Sequence, residues 1–237
     1  MKDRIDLEVD GLKLYVLKPT QKHTTDADFV YKTKYSEALR FGALTNSEAQ
    51  RIINERSIWT EDDTTEVAKL LIKIAELGRD LERTTSLAKG IDILADMQEC
   101  RTKVFAINAK RNSILDNTAE SYADEKRLQH YIVMCTFDNA TGKPYFKDMD
   151  DLIAKSDTRA SALATRNVIY MLIGSGEDLR SSWPDWQWRK KHGLINENGE
   201  EMSELPDEFK KQLEVEMQPA VKAEPEVTKK SSKKKKE

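Results

Sequence analysis

Val67-Ala-Lys-Leu70-Leu71-Ile-Lys-Ile74-Ala-Glu-Leu77-Gly78-Arg-Asp-Leu81, continued past a break by Ile91, Leu94, Ala95, Met97, Val104, Phe105, Ile107, Ala109 and Leu115, decides the fold. Val67, Leu70, Leu71, Ile74, Leu77 and Leu81 recur every three or four residues with Lys, Arg and Glu between them, the signature of an amphipathic helix with a narrow apolar stripe. Gly78 inside the stripe weakens the helix slightly, and Gly90 sits near the break. Two such helices joined by a short break pack antiparallel with coiled-coil geometry. The expected hairpin runs over Glu61–Arg83 and Ile91–Leu115, with Leu70, Leu71, Ile74 and Leu77 facing Ile91, Leu94, Val104 and Phe105. The stripe has two readings: it packs wholly within the chain, or part of it is offered to another chain.

Upstream, Ile5, Leu7 and Val9 alternate with polar residues, Asp10-Gly11 marks a tight turn, and Leu12, Leu14 and Val16 alternate again, which predicts a β-hairpin. Thr24 or Thr25 can cap a helix carrying Ala27, Val30, Tyr31, Tyr35, Ala38 and Leu39 on one face, closed by Gly42. Thr45-Asn-Ser-Glu48 is a capping box, and Thr60-Glu-Asp-Asp63 puts acids in a first turn, where the helix dipole favours them.

Downstream, Asn117 or Thr118 caps a helix reaching about Thr136, and Asp138–Pro144 is turn-rich. Asp148–Ala154 reads as a short helix, and Asp157 caps another holding Leu163, Val168 and Leu172. Gly174-Ser-Gly176 opens a loop, Trp183-Pro-Asp-Trp186-Gln-Trp188 follows, and Asn198-Gly199 marks a turn. From Gln218 onward the Pro-, Glu- and Lys-rich sequence has nothing to bury and reads as disordered, so its deletion should leave folding intact. The fold class is mainly α: a β-hairpin (1–22), a helical body with a long antiparallel helical hairpin (23–180), a Trp-rich appendage (181–217) and a disordered Lys-rich tail (218–237).

Of the 237 residues, 34% are charged, 38% hydrophobic and 7% aromatic, a balance that suits elongated helical proteins. A net charge of −3 argues against nucleic acid as a partner of the body. The absence of a run of about 18 apolar residues argues against a membrane span. Met1-Lys2-Asp3-Arg4 leads into a strand rather than an apolar signal core, so a cytoplasmic setting is expected. Cys100 and Cys135 lie in apolar-periodic helices and read as buried reduced thiols. His23, His130 and His192 have no metal-ligand spacing, and Asp150-Asp151 and Glu61-Asp62 lie at helix starts, where capping explains them. No phosphate loop or nucleophile signature stands out, so no catalytic residue, cofactor or metal is expected.

The candidate protein-binding residues are Leu12, Leu14 and Val16, on a strand that can accept a partner strand, and Trp183, Trp186 and Trp188. The tryptophans have two readings. They anchor the C-terminal segment to the core, or with Arg189, Lys190 and Lys191 they form a protein hot spot or a base-stacking surface.

Lys18-Pro-Thr20, then Ala27…Tyr31…Tyr35-Ser-Glu-Ala-Leu39…Gly42-Ala-Leu-Thr45, Ile58-Trp59-Thr60, Asn117-Thr-Ala-Glu120, Cys135-Thr136 and Gly142-Lys-Pro-Tyr-Phe-Lys-Asp148 resemble a virion- or tail-associated family of contractile-tailed bacteriophages. The resemblance covers about residues 5–200. The opening Gly11…Val16…Pro19-Thr20 before helices is also similar to tail assembly chaperones, which hold the tape-measure protein while tail-tube subunits polymerise. Trp183-Pro-Asp-Trp186 has no counterpart in either group. The resemblance implies a non-enzymatic tail morphogenesis protein in the host cytoplasm during assembly, most simply a chaperone binding tape-measure or tail-tube proteins. The alternatives are a minor structural component of the virion's tail or baseplate, and, in another class, a nucleic-acid-binding or host-directed regulatory protein. A homo-oligomer is a further expectation.

Overall fold

A computed structural model of the chain describes residues 3–174, 179–196, 201–202 and 205–217. The predicted tail (218–237) and the turn at Asn198-Gly199 lie outside these residues. The fold is mainly helical, as the periodicity dictates. Strands β1 (Arg4–Val9) and β2 (Leu12–Leu17) form the expected hairpin, with Leu7 opposite Leu14 and Ile5 opposite Val16. Asp10 and Gly11 both take positive φ, 51° and 79°, the paired left-handed conformation of a two-residue turn matched to strand twist.

Helices α1 (Gln21–Arg40) and α2 (Asn46–Glu55) follow. The first starts earlier than expected. Thr20, not Thr24 or Thr25, is its cap, and the His23 ring completes the capping box in place of the usual Glu or Gln. Helix α3 (Glu61–Arg83) and helix α4 (Leu87–Leu115), of 23 and 29 residues, form the antiparallel hairpin. The break falls at Thr84–Ser86 rather than at Gly90, because Ser86 supplies the cap and Gly90 lies inside α4. Helix α5 (Ala119–Cys135) runs into β3 (Thr136–Asp138), which pairs antiparallel with β2. Helices α6 (Met149–Ala154), α7 (Arg159–Leu172), α8 (Pro184–Lys191) and α9 (Asp207–Met217) complete the described chain. Thr158 caps α7, one residue beyond the expected Asp157.

Two cores result. In the first, Leu7, Val9, Leu14 and Val16 from the sheet pack on Ile132 and Cys135 of α5, Phe146, and Leu163 and Val168 of α7. Small residues, Ala27 on α1 and Ala123 on α5, are fully buried where those helices run together. In the second, Leu81 of α3 and Leu87, Leu94 and Met97 of α4 enclose Trp188 of α8 and Phe209 of α9.

Hydrogen bonds tie the loop before α2 to the start of α5. There the Ala119 N–H donates to the Leu44 carbonyl (2.8 Å), the Thr118 hydroxyl to Asn46 Oδ1 (2.8 Å), and the Asn46 N–H to Glu120 Oε2 (2.9 Å). Thr118 is fully buried, whereas the Asn46–Glu120 bond lies at the surface. Cys100 and Cys135 are buried free thiols, and burial pushes Cys135 up to about 12, which keeps it protonated and inert.

Candidate protein-docking groove

The periodicity of α3 gives the helix three distinct sides. Val67, Leu70, Ile74, Leu77 and Leu81 form the seam toward α4, with Leu70 and Leu81 8% and 1% exposed. One flank of that seam carries Asp62, Glu66, Lys69, Lys73 and Asp80. The other carries Thr64, Ala68, Leu71, Ala75 and Gly78, with no charged side chain among them.

The facing stretch of α4 presents Phe105, Asn108 and Asn112 beside this uncharged flank. The nearby cations of α4 are engaged elsewhere. Lys110 donates to Asp63 (2.8 Å), holding that carboxyl down to about 2 together with the Thr60 cap. The Arg111 guanidinium lies 4.4 Å from the centre of the Trp59 ring, and Lys103 pairs with Glu99 at 2.6 Å.

The C-terminal segment covers only one half of this side. Pro184 sits over Gly78, where a Cβ would lie 3.1 Å from its Cγ, and Trp188 sits over Gly90, where a Cβ would lie 2.9 Å from its Cε2 and closer still to Cζ2. Asp185 is buried and accepts two hydrogen bonds from the Arg101 guanidinium, at 2.6 and 2.9 Å. Burial alone would raise the Asp185 carboxyl, but the Arg101 hydrogen bonds and charge hold it below the ordinary aspartate range. Helix α9 closes the far end: Glu216 accepts the N–H groups of Leu87 and Ala88, both at 3.1 Å, neutralising orphan donors of α4.

Beyond Trp183 no described residue continues the cover. A groove of about 630 Å³ remains, lined by Leu71, Ile74, Ala75, Val104, Phe105, Asn108, Asn112 and Trp183. Leu71, Phe105 and Trp183 are 52%, 76% and 44% exposed. The expectation that Leu71 and Phe105 face each other inside the hairpin is thereby corrected: each lies off the seam, on the groove's walls. The groove's single charged lining residue, Arg101, is already held by Asp185. Two other depressions differ in this respect. One between α5, α6 and α7 is lined by Glu125 and Lys126, and one between α1 and α5 by Glu37, Asp116 and Glu125. An uncharged apolar groove flanked by two helices has the form that accepts a further helix.

The remaining candidate residues divide sharply. β2 is the central strand of the order β1-β2-β3, so it is not an edge open to a partner strand. Leu14 and Val16 are 1% and 0% exposed and face the first core, which corrects their reading as contact residues. Leu12 is 41% exposed at the turn. Trp188 is a core residue and Trp186 is half-buried with the Lys190 ammonium 5.1 Å from its ring centre, so of the three tryptophans only Trp183 reaches the groove. Among the described residues no three His, Cys, Asp or Glu side chains converge as a metal site would require, and no helix is long and apolar enough to cross a membrane. No protein-family model, no curated protein and no solved structure matches this chain.

Proposed function

We propose that this is a non-catalytic assembly protein working through protein contacts on the open side of the α3/α4 hairpin. One observation carries the reading. On a chain in which 34% of residues are charged, the groove-side flank of α3 from Thr64 to Gly78 carries no charge, and Leu71 on it and Phe105 across from it stand in water. Uncharged apolar surface of this kind marks protein contact rather than phosphate binding.

The tail-assembly setting rests on the sequence resemblance alone, with a chaperone as the primary role in it. Co-expression with the tape-measure or tail-tube protein of the same assembly programme tests it. A complex should form and be lost in Phe105→Glu without loss of helical content. A complex indifferent to Phe105→Glu would remove the groove from the reading, and no complex with either tail protein would remove the chaperone role. Mass spectra of purified particles separate the alternatives, since a chaperone leaves before the virion is complete and a minor structural protein stays.

A further inference from the structure

The outward face of α3 carries a second heptad-like row. Glu61, Thr65, Ala68, Ile72, Ala75 and Arg79 follow one another at alternating steps of four and three, and all six are exposed. Ile72 is 60% exposed. This is coiled-coil spacing on a face that none of the described residues covers. The row is also self-complementary when read backwards. Counted outward from Leu70, Ala68 and Ile72 stand two residues away on either side, Thr65 and Ala75 five, and Glu61 and Arg79 nine.

We propose that a second copy of this chain covers this outward face, with the two α3 helices antiparallel about a two-fold axis beside Leu70. This goes beyond the reading above. In an isologous contact, if residue i meets j then j meets i. The axis therefore sets Ala68 against the partner's Ile72, a small residue opposite a large one. Thr65 meets the partner's Ala75, and Glu61 meets the partner's Arg79, closing both ends of the contact with opposite charges. Among the described residues neither Glu61 nor Arg79 has an ion pair within its own chain. The contact covers Ala68, Ile72 and Ala75 and leaves Phe105, on α4, open in the groove.

The size of the face sets the strength. Nineteen residues rise about 28 Å and one helix is about 10 Å across, a projected area of about 280 Å². This lies below the roughly 800 Å² per partner of a standard interface, so the dimer is reversible.

Sedimentation velocity on the full chain, over a concentration series in the micromolar range, should show a monomer–dimer equilibrium. Ile72→Glu should abolish it with the circular-dichroism spectrum unchanged. Glu61→Arg and Arg79→Glu should each weaken association severalfold, and the double swap should restore it, which a merely apolar patch would not do. Monomer at every concentration, a dimer indifferent to Ile72→Glu, or a double swap no better than the single ones would each overturn the proposal. A monomeric wild type that still binds a tail protein through Phe105 would overturn the second copy alone, whereas loss of both would take the groove reading with it.

Discussion

Gly90→Ala separates local propensity from tertiary packing by the sign of its effect. Alanine in the interior of a helix is favoured over glycine by about 1 kcal/mol, so α4 considered alone should gain stability. In the folded chain the new methyl would meet the Trp188 indole, 2.9 Å from Cε2. That ring cannot swing aside cheaply. Trp188 is 7% exposed, packed 4.3 Å from the His192 ring and edge-on to Phe209 at 6.2 Å between centroids. Overpacking of a core costs about 1–3 kcal/mol, and the helix gain offsets only part of it. The net expectation is a loss of about 1 kcal/mol, or a fall of roughly 2–4 °C in Tm for a chain of this size. Urea denaturation followed by far-UV circular dichroism and by tryptophan fluorescence measures it. In a Trp188→Ala background the same substitution should become stabilising, giving a coupling of about 2 kcal/mol between the two sites. A Gly90→Ala protein more stable than wild type in the native background would refute the seating of α8 on the hairpin.

Two further outcomes follow from burial. Leu14→Asp or Val16→Asp should unfold the first core, costing about 3–5 kcal/mol by placing an unpaired charge where no water reaches, rather than selectively weakening a partner complex; soluble, fully helical variants would contradict that. For Asp185 the folded carboxyl is depressed, so its stabilisation is present above the unfolded value of about 3.9 and is lost as pH falls through the folded one. Asp185→Asn should therefore lower stability at pH 7 by about 1–3 kcal/mol, Arg101 being partly exposed, and the gap from wild type in urea midpoint should narrow at pH 3. A gap independent of pH would mean that the pair contributes no charge–charge stabilisation.

The long elements were legible because their signals are local. The boundaries of α3 follow from Thr60, whose box with Asp63 is visible in four residues, and from an apolar stripe that needs no partner to be recognised. Where the reading slipped, the deciding residue lay far along the chain. Gly90 suggests a break only if nothing distant requires a missing side chain, and Trp188 requires one. β2 looked like an edge because β3, only three residues long, is an extension of α5 with no strand pattern of its own. The tryptophans at and before α8 differ in role by position, which composition cannot resolve: Trp188 on the helix reaches the core, and Trp183 at its N-cap reaches the rim of the groove. Of the docking residues, Trp183 was singled out with its role left open between a core anchor and a contact surface, whereas Leu71 and Phe105 were assigned to the seam they adjoin.

The triplet Leu70-Leu71-Ile72 holds the information that a one-stripe reading discards. Consecutive residues on a helix point about 100° apart, so three in a row cannot all face α4. Leu70 takes the seam at 8% exposure, while Leu71 and Ile72 turn into solvent at 52% and 60%. A helix that had only to bury itself against its neighbour would carry polar residues at the last two positions. The difference is measurable in the isolated protein. Leu70→Lys should cost about 2–4 kcal/mol, because it replaces a packed side chain at the hairpin seam with a charge that has no partner there. Leu71→Lys, one residue along, should stay within about 0.5 kcal/mol of wild type at concentrations where the chain is monomeric, since water already reaches that site. Chemical denaturation of the two variants side by side decides it. Equal destabilisation would mean that Leu71 belongs to the core after all and that the apolar flank of α3 is ordinary packing; a near-neutral Leu71→Lys beside a crippled Leu70→Lys leaves the flank free, stable in water and available to another helix.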